Sequence, residues 1–313
     1  MEKRRIGSLH VSVVGLGCNN FGWRLDADAT ANVVHAALDA GVNFFDTADI
    51  YGGTQSEEYL GRALRGRREH VVVATKFGMK VDEQRHGAKP AYVQQAAEDS
   101  LRRLATDYID LYQLHQPDPE TPIADTLAVL DELVKSGKVR EIGCSNFSAQ
   151  QVREAEQAVH TGAARFVSVQ NEYSLLHREP EREVLPECER HGLAFLPYFP
   201  LANGLLTGKY RAGHPVPQGT RISGTEHFGK LLNERNLETV EALAGFAESC
   251  GHTLLELAFS WLLARPAVAS VIAGATSAQQ IRSNSIAIGW KLTPADLAEV
   301  DRILQQVALS EAS

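Results

Sequence analysis

Few of the features that assign a function quickly are present in this chain. Cysteine is scarce: Cys18, Cys144, Cys188 and Cys250 stand far apart, with no C-x-x-C pair and no histidine at metal spacing. That pattern excludes a zinc ribbon and a disulfide framework, and it fits reduced thiols and a protein with no metal site. Long apolar runs are missing too, none approaching the roughly 20 residues that cross a bilayer. Lys and Arg number 31 against 39 Asp and Glu, a formal charge of −8, so the chain lacks the basic footprint of a nucleic-acid binder. The opening MEKRRIGSLHVSVVGLG has a basic cluster that mimics a signal-peptide n-region. Ser8, His10 and Ser12 interrupt its apolar run before an h-region forms. A cytoplasmic, unexported protein without membrane or nucleic-acid partners is expected.

What is present is alternation. Hydrophobic residues make up 44% and charged residues 22% of the 313, ordinary for a globular protein. Short β-branched runs take turns with amphipathic stretches of helical length, which implies parallel strands joined by crossover helices. The strand-like runs end near Gly17, Asp46, Lys76, His115, Ser145, Gln170, Tyr198 and Ala273, the set of eight that closes an α/β (β/α)8 TIM barrel. Helices are expected over 28–40, 56–65, 90–105, 122–136, 148–159, 180–191, 237–251 and 277–288. Ser56, Ser148 and Ser277 sit at N-cap positions, and Gly41, Gly66 and Gly137 at C-terminal stops. Such barrels often run to about 250 residues or more as one domain, so 1–313 reads as a single barrel domain. Two segments break the period. KRRIGSLHVSVVG reads as an N-terminal β-hairpin turning near Gly7 and Ser8, and the Gly- and Pro-rich stretch between Ala202 and Asn233 is too long for a routine connector. Following the seventh strand, this long loop reads as a flap over cofactor or substrate.

Four residues at the strand ends form a candidate catalytic set: Asp46, Tyr51, Lys76 and His115. Each lies at or just beyond an apolar run, so all would project from the barrel rim where such enzymes keep their chemistry. A phenol beside an ammonium is a tuned general acid, because the positive charge favours phenolate and is expected to pull the Tyr pKa below about 10. Taken singly, Asp46 and Lys76 would serve equally as a structural ion pair, His115 as a core histidine and Tyr51 as a turn residue. Their joint placement at successive strand ends, together with the family resemblance that follows, shifts the balance to catalysis.

The segments VVGLGC (13–18), FFDTADIYGGTQSEEYLGRAL (44–64), VVVATKFG (71–78), IDLYQLHQPDP (109–119), GKVREIGCSNFS (137–148), VSVQNEYSLL (167–176) and PLANGLLTGKY (200–210) follow one another in an order that resembles the aldo-keto reductases. The resemblance runs from about Arg5 to about Ala287, nearest the bacterial and potassium-channel β-subunit-like branch. It implies a hairpin that plugs the bottom of the barrel, reduction of a small-molecule carbonyl by hydride from NADP(H), Tyr51 as proton donor, Lys76 and Asp46 as its tuning pair, and His115 orienting the carbonyl. Two other classes keep these residues: a non-catalytic nicotinamide-binding sensor or channel-associated module, and a class I aldolase using Lys76 as a Schiff-base amine. Oligomeric state is not fixed by the resemblance.

GLGCNNFG after the first strand is not G-x-G-x-x-G, so a Rossmann site is rejected. The resemblance instead assigns Ser145, Asn146 and Gln170 to the nicotinamide carboxamide and Tyr198 to stacking on its ring. Leu201, Gly204, Leu205, Thr207, Gly208 and Lys209 are assigned to the pyrophosphate, and Gly274, Thr276, Ser277, Gln280 and Asn284 to the adenosine end. Two departures from the family pattern are Ala273 where many relatives have Pro and Gln280 where others have Arg; Arg282, Arg221 or Lys209 are candidate replacements for that charge. Apolar walls for substrate are sought in Trp23 and Phe199, with Phe21, Met79, Phe228 and Trp290 as further aromatic or apolar candidates.

Overall fold

The chain begins with an antiparallel hairpin, β1 (Lys3–Ile6) and β2 (Leu9–Ser12). It turns at Gly7, whose φ of 55° suits a residue without Cβ. Alternation puts Ile6, Leu9 and Val11 on one face. They pack with Phe44, Val72, Ala74, Leu111, Ala194, Leu196, Ala269 and Ile272, all inside the barrel described next. The hairpin is therefore a plug, tied down further by Ser8 N–H donating to Glu141 Oε1 at 2.7 Å.

A computed structural model describes residues 1–211, 213–220, 222–224 and 229–310. Its strands β3 (Val14–Gly17), β4 (Phe44–Asp46), β5 (Val72–Phe77), β6 (Ile109–Leu114), β7 (Val139–Ser145), β8 (Phe166–Glu172), β9 (Ala194–Tyr198) and β10 (Val271–Gly274) form one sheet in the order β10-β3-β4-β5-β6-β7-β8-β9. Every neighbouring pair is parallel. Phe195 N–H donates to Ala267 O at 2.7 Å and Ala269 N–H to Phe195 O at 3.1 Å, a parallel bridge that nearly closes the ring. The expected (β/α)8 architecture is thus present. Strand ends agree at Gly17, Asp46, Ser145 and Tyr198; β5 and β8 run on to Phe77 and Glu172, since their ladders continue through Phe77↔Leu114 and Glu172↔Tyr198. Lys76 and Gln170 therefore lie within strands rather than at their ends.

Helices α1 (Ala27–Asp39), α2 (Gln55–Ala63), α3 (Pro90–Leu104), α4 (Ile123–Lys135), α5 (Ala149–Ala158) and α6 (Val184–His191) connect the strands as expected. Ser148 caps α5 through a capping box with Gln151, and Ser277 Oγ accepts the Gln280 N–H at 3.2 Å. Ser56 is not a cap. It lies inside α2 after Thr54, fully buried, donating to Cys18 O at 2.9 Å and paired with Thr47 Oγ1 at 2.8 Å. Its hydroxyl ties the helix to the strand ends below it.

Later in the chain come α7 (Glu234–Ser249), α8 (Leu254–Leu263), α9 (Ala278–Ile286) and α10 (Pro294–Ser310). The backbone divides into two compact units. One comprises Met1–Glu172, Glu179–Tyr198 and Pro266–Ser285 and holds the hairpin and barrel strands; the other comprises Tyr173–Arg178, Phe199–Arg265 and the chain from Ile286. In the second unit Trp261 is fully buried, 5.1 Å from the Tyr173 ring, with the Arg178 and Arg265 guanidiniums at 5.3 and 4.9 Å. The sequence pattern assigned no element to α8 or α10. LLELAFSWLL is apolar nearly all round, so no 3.6-residue stripe marks it, although the Thr253–Glu256 capping box does. In the 202–233 stretch, Ala202–Thr207 and Ile222–Gly224 form short 3₁₀ turns.

Gly61 decides how α2 meets α3. A Cβ there would stand 2.4 Å from the Leu104 carbonyl oxygen, a backbone atom with no rotamer to give. Gly61→Ala is expected to destabilise the fold by about 1–3 kcal/mol, read as a lowered urea midpoint at unchanged slope.

Candidate active site

Asp46 closes β4, and the chain then runs beside β5: Thr47 N–H donates to Ala74 O at 2.8 Å and Asp49 N–H to Lys76 O at 3.1 Å. This register carries Tyr51 over the Lys76 side chain. Gly52 and Gly53 follow at φ 59° and 63°, and a Cβ on Gly52 would meet Phe21 O at 2.3 Å. Glycine is needed there for both conformation and space.

Lys76 is fully buried and Asp46 nearly so. The Lys76 ammonium donates to Asp46 Oδ2 at 2.7 Å, Thr47 O at 2.8 Å and Tyr51 OH at 3.4 Å, which uses all three of its hydrogens. Burial works to lower the Lys76 pKa, but Asp46 and Tyr51 outweigh it and the net shift is upward; the side chain is a fixed cation. His115 lies beyond β6 with its ring 5.7 Å from Tyr51, edge to face. Burial, and secondarily Lys76, holds its pKa well below 6.5, so the imidazole is neutral. For Tyr51 the expectation of a lowered pKa is corrected. Burial raises it, and Lys76 only opposes part of that rise. The phenol keeps its proton at rest.

Behind the carboxylate sit two amides. Gln170 Nε2 donates to Asp46 Oδ1 at 2.9 Å and Gln113 Nε2 to the same oxygen at 3.3 Å. Gln113 was missed by sequence reasoning. Its signal was a polar residue on the inward parity of β6, two positions before His115, where the preceding residues of that parity, Ile109 and Leu111, are apolar. Its room comes from Gly143 on β7, where a Cβ would fall 3.3 Å from Gln113 Cγ and 2.4 Å from Ser168 Oγ.

The residues assigned to the nicotinamide form one hydrogen-bonded row. Ser145 Oγ donates to Gln170 O at 2.7 Å; Asn146, at φ 61°, donates from Nδ2 to His115 O at 2.9 Å and to Ser145 Oγ at 3.3 Å; Tyr198 OH donates to Asn146 Oδ1 at 2.8 Å. Asn146 is thereby fixed between His115 and Tyr198. The row fits a planar carboxamide, since side-chain oxygens of Ser145, Asn146 and Gln170 have lone pairs for its N–H groups and His115 Nδ1 is buried without a protein partner.

The Aldo/keto reductase family model matches residues 13–305. The chain belongs to the aldo/keto reductase family. It is 35% identical over 308 residues to the aldo-keto reductase YhdN of Bacillus subtilis (strain 168), covering 95% of this chain and 91% of that protein. It is also 33% identical over 320 residues to a probable voltage-gated potassium channel subunit beta of Arabidopsis thaliana, covering 97% of each. Among solved structures, the glycerol dehydrogenase AKR11B4 from Gluconobacter oxydans superposes with a TM-score of 0.84 at 33% identity, covering 97% of this chain and 95% of that one. The aldo-keto reductase AKR11C1 from Bacillus halodurans in its holo form gives a TM-score of 0.78 at 32% identity, covering 97% and 96%. Membership implies NAD(P)H-dependent oxidoreductase activity on a small molecule.

In this aldo-keto reductase the candidate adenosine residues gather at the start of α9. Gln280 Oε1 accepts from Thr276 N–H at 2.7 Å and Thr276 Oγ1 at 3.1 Å, so it braces the turn in place of presenting a charge. Gly274 is exposed and Asn284 buried. In the second unit, Asn203, Gly204 and Gly208 have φ of 57°, 104° and 80° across the candidate pyrophosphate segment. There Thr207 Oγ1 donates to Gly204 O at 2.6 Å, and Lys209 Nζ lies 2.9 Å from where a Gly204 Cβ would stand. The substrate candidates separate. Trp23 is 55% exposed, but Phe21 is fully buried, and Trp290 stacks on His252 at 4.3 Å; these last two are packing residues. Phe199, at φ 49°, belongs to the second unit. Phe228 and Arg221 lie outside the described residues. Among the described residues no group of three or more His, Cys, Asp or Glu is placed to hold a metal, and no helix is long and apolar enough to cross a membrane.

Removing one member of the Lys76–Asp46 pair leaves its partner as an uncompensated buried charge. Lys76→Met is expected to cost about 3–5 kcal/mol, and adding Asp46→Asn should recover part of it. A double-mutant cycle by chemical denaturation measures this; additive losses would show that the two charges are not coupled.

Proposed function

We propose that this chain reduces aldehydes and ketones to alcohols with NADPH, Tyr51 donating the proton. The observation that carries the reading is the Lys76 ammonium, held 2.7 Å from Asp46 and 3.4 Å from the Tyr51 hydroxyl. When bound, the nicotinamide supplies the hydride. Tyr51 enters with its proton in place, because burial raises its pKa. As negative charge develops on the carbonyl oxygen, the fixed Lys76 cation stabilises the phenolate that forms when the proton leaves. Neutral His115 offers an N–H to the same oxygen without adding charge to the site. Ser145, Asn146 and Gln170 hold the carboxamide, with Tyr198 against the ring. The 201–209 segment is assigned to the pyrophosphate and residues 274, 276, 277, 280 and 284 to the adenosine.

The carbonyl-reductase subtype is supported by the solved glycerol dehydrogenase relative, whose named substrate is a small alcohol. A channel-associated role, favoured by the Arabidopsis relative, would keep the same residues and differs in lacking turnover. The aldolase alternative is disfavoured, since an amine whose pKa is raised by a neighbouring carboxylate is not free to form a Schiff base.

Tyr51→Phe removes only the hydroxyl. Its kcat for carbonyl reduction is expected to fall by about 10²–10⁴ with NADPH affinity and fold preserved; near-native turnover would overturn the mechanism. NADPH is expected to bind more tightly than NADH through Ser277 and nearby basic side chains such as Arg282. Fluorescence titration with both cofactors checks this, and equal dissociation constants would show that Gln280 in the Arg position has removed the discrimination.

A further inference from the structure

On the other side of the Tyr51 segment lies a second buried ionic cluster that the proposed chemistry does not use. Asp49, two residues before Tyr51, is 3% exposed. Its Oδ1 is buried without a hydrogen-bond partner, and its side-chain contact at Oδ2 is a long one, from Tyr92 OH at 3.4 Å, beside the backbone N–H of Ile50. Around it stand Glu57 from α2, Tyr92 and Arg103 from α3, and Tyr112 from β6; β5 contributes the Lys76 carbonyl that accepts the Asp49 N–H at 3.1 Å. Glu57 already takes Arg103, the cation that acts on Asp49. It is fully buried, with Arg103 Nε at 2.6 Å on one oxygen and Thr75 Oγ1 at 2.5 Å on the other. Tyr112 is buried with its hydroxyl unpartnered. Ionised, Asp49 would be a second anion beside Glu57, whose partner Arg103 is already paired; Arg85, which faces Tyr92, is itself paired with Asp82.

We propose that Asp49 is a positioning residue for Tyr51 that works in its protonated form, so that reductase turnover is tied to the proton on this carboxyl. The inference rests on the reductase reading above. A neutral carboxyl is compatible with burial next to Glu57, and it leaves the 47–51 segment docked on β5 with the phenol over Lys76. An ionised one must find solvent or a donor. The segment that moves to provide it is the one that carries Tyr51. Burial, then Glu57, raises the Asp49 pKa to about 7, with Arg103, the Tyr92 hydroxyl and the Ile50 backbone N–H pulling the other way. The proton therefore leaves near neutrality, far below the range in which Tyr51 or Lys76 titrates.

The sign of the stability effect follows. The folded protein holds this proton more tightly than the unfolded chain, so the contribution of this one group to stability is greatest below the ordinary carboxylate range. That contribution falls as pH rises from about 4 to about 7 and then levels.

The test compares wild type with Asp49→Asn, which keeps the shape and is neutral at every pH. Wild-type kcat at saturating NADPH and carbonyl is expected to fall by about tenfold per pH unit above a midpoint near 7, whereas the Asn variant holds its turnover through pH 8.5. Asp49→Ala, which loses the Tyr92 contact, should turn over more slowly at all pH values, so that rescue by Asn separates positioning from simple packing. Thermal midpoints of wild type and the Asn variant, taken from pH 4 to 8 without substrate, should diverge with rising pH in favour of Asn. A difference that does not change with pH would overturn the protonated carboxyl and the proposal with it. Diverging midpoints with superposable kcat profiles would overturn the link to Tyr51. No turnover of any carbonyl by wild type, with diverging midpoints, would sink the reductase reading instead.

Discussion

The site depends on one buried contact, the Lys76 ammonium against the Asp46 carboxylate. Taking two charges out of water is expensive, and their attraction repays it only when the remaining lone pairs and hydrogens are also satisfied. Here they are: the ammonium has Thr47 O and the Tyr51 hydroxyl besides its counter-ion, and the far carboxylate oxygen takes amide hydrogens from Gln170 and Gln113. Four strands, β4, β5, β6 and β8, converge on this pair. A parallel barrel achieves that because neighbouring strands present side chains to one interior at a fixed register, Lys76 facing Gln113 across the β5–β6 ladder.

The same contact explains why the site holds a proton donor and not a phenolate. An ammonium beside a phenol was expected to lower the phenol's pKa, and in water it would. Inside the barrel the desolvation of the phenolate is the larger effect, and Asp46 cancels part of the cation's field. The consequence is useful for reduction. A donor must carry its proton when substrate arrives and release it only as negative charge develops, and the cation acts at that moment without a change in its own charge.

Most of the barrel was legible from the alternation of strand and helix patterns, and its four polar rim residues were legible because charged and phenolic side chains are rare at the ends of apolar runs. Less visible were features that depend on register. Gln113 is one polar residue in YIDLYQLH until β6 is paired with β5 and β7, when Gly143 is seen to leave it room. Ser56 carries a helix-capping residue type, but the helix begins a residue earlier and its hydroxyl turns inward to Cys18 and Thr47. α8 escaped because an element apolar on every side has no periodicity to read, and Gln280 could be seen to lack an arginine's charge but not to brace Thr276.

Tyr51 is held between two buried carboxyl groups with opposite handling of charge. Asp46 has its ion partner in Lys76 at 2.7 Å and fixes a cation. Asp49 finds the local cation, Arg103, already paired with Glu57, so the economical state for it is neutral. Both side chains come from the single run FFDTADIYGG, three residues apart, and leave it on different sides: one into the barrel, the other toward α2 and α3. The segment between them is short and glycine-terminated, with Gly52 confined by the Phe21 carbonyl. Little slack therefore separates a change of charge at Asp49 from a displacement at Tyr51, and the geometry that makes the phenol accurate also makes it sensitive to its neighbour's proton.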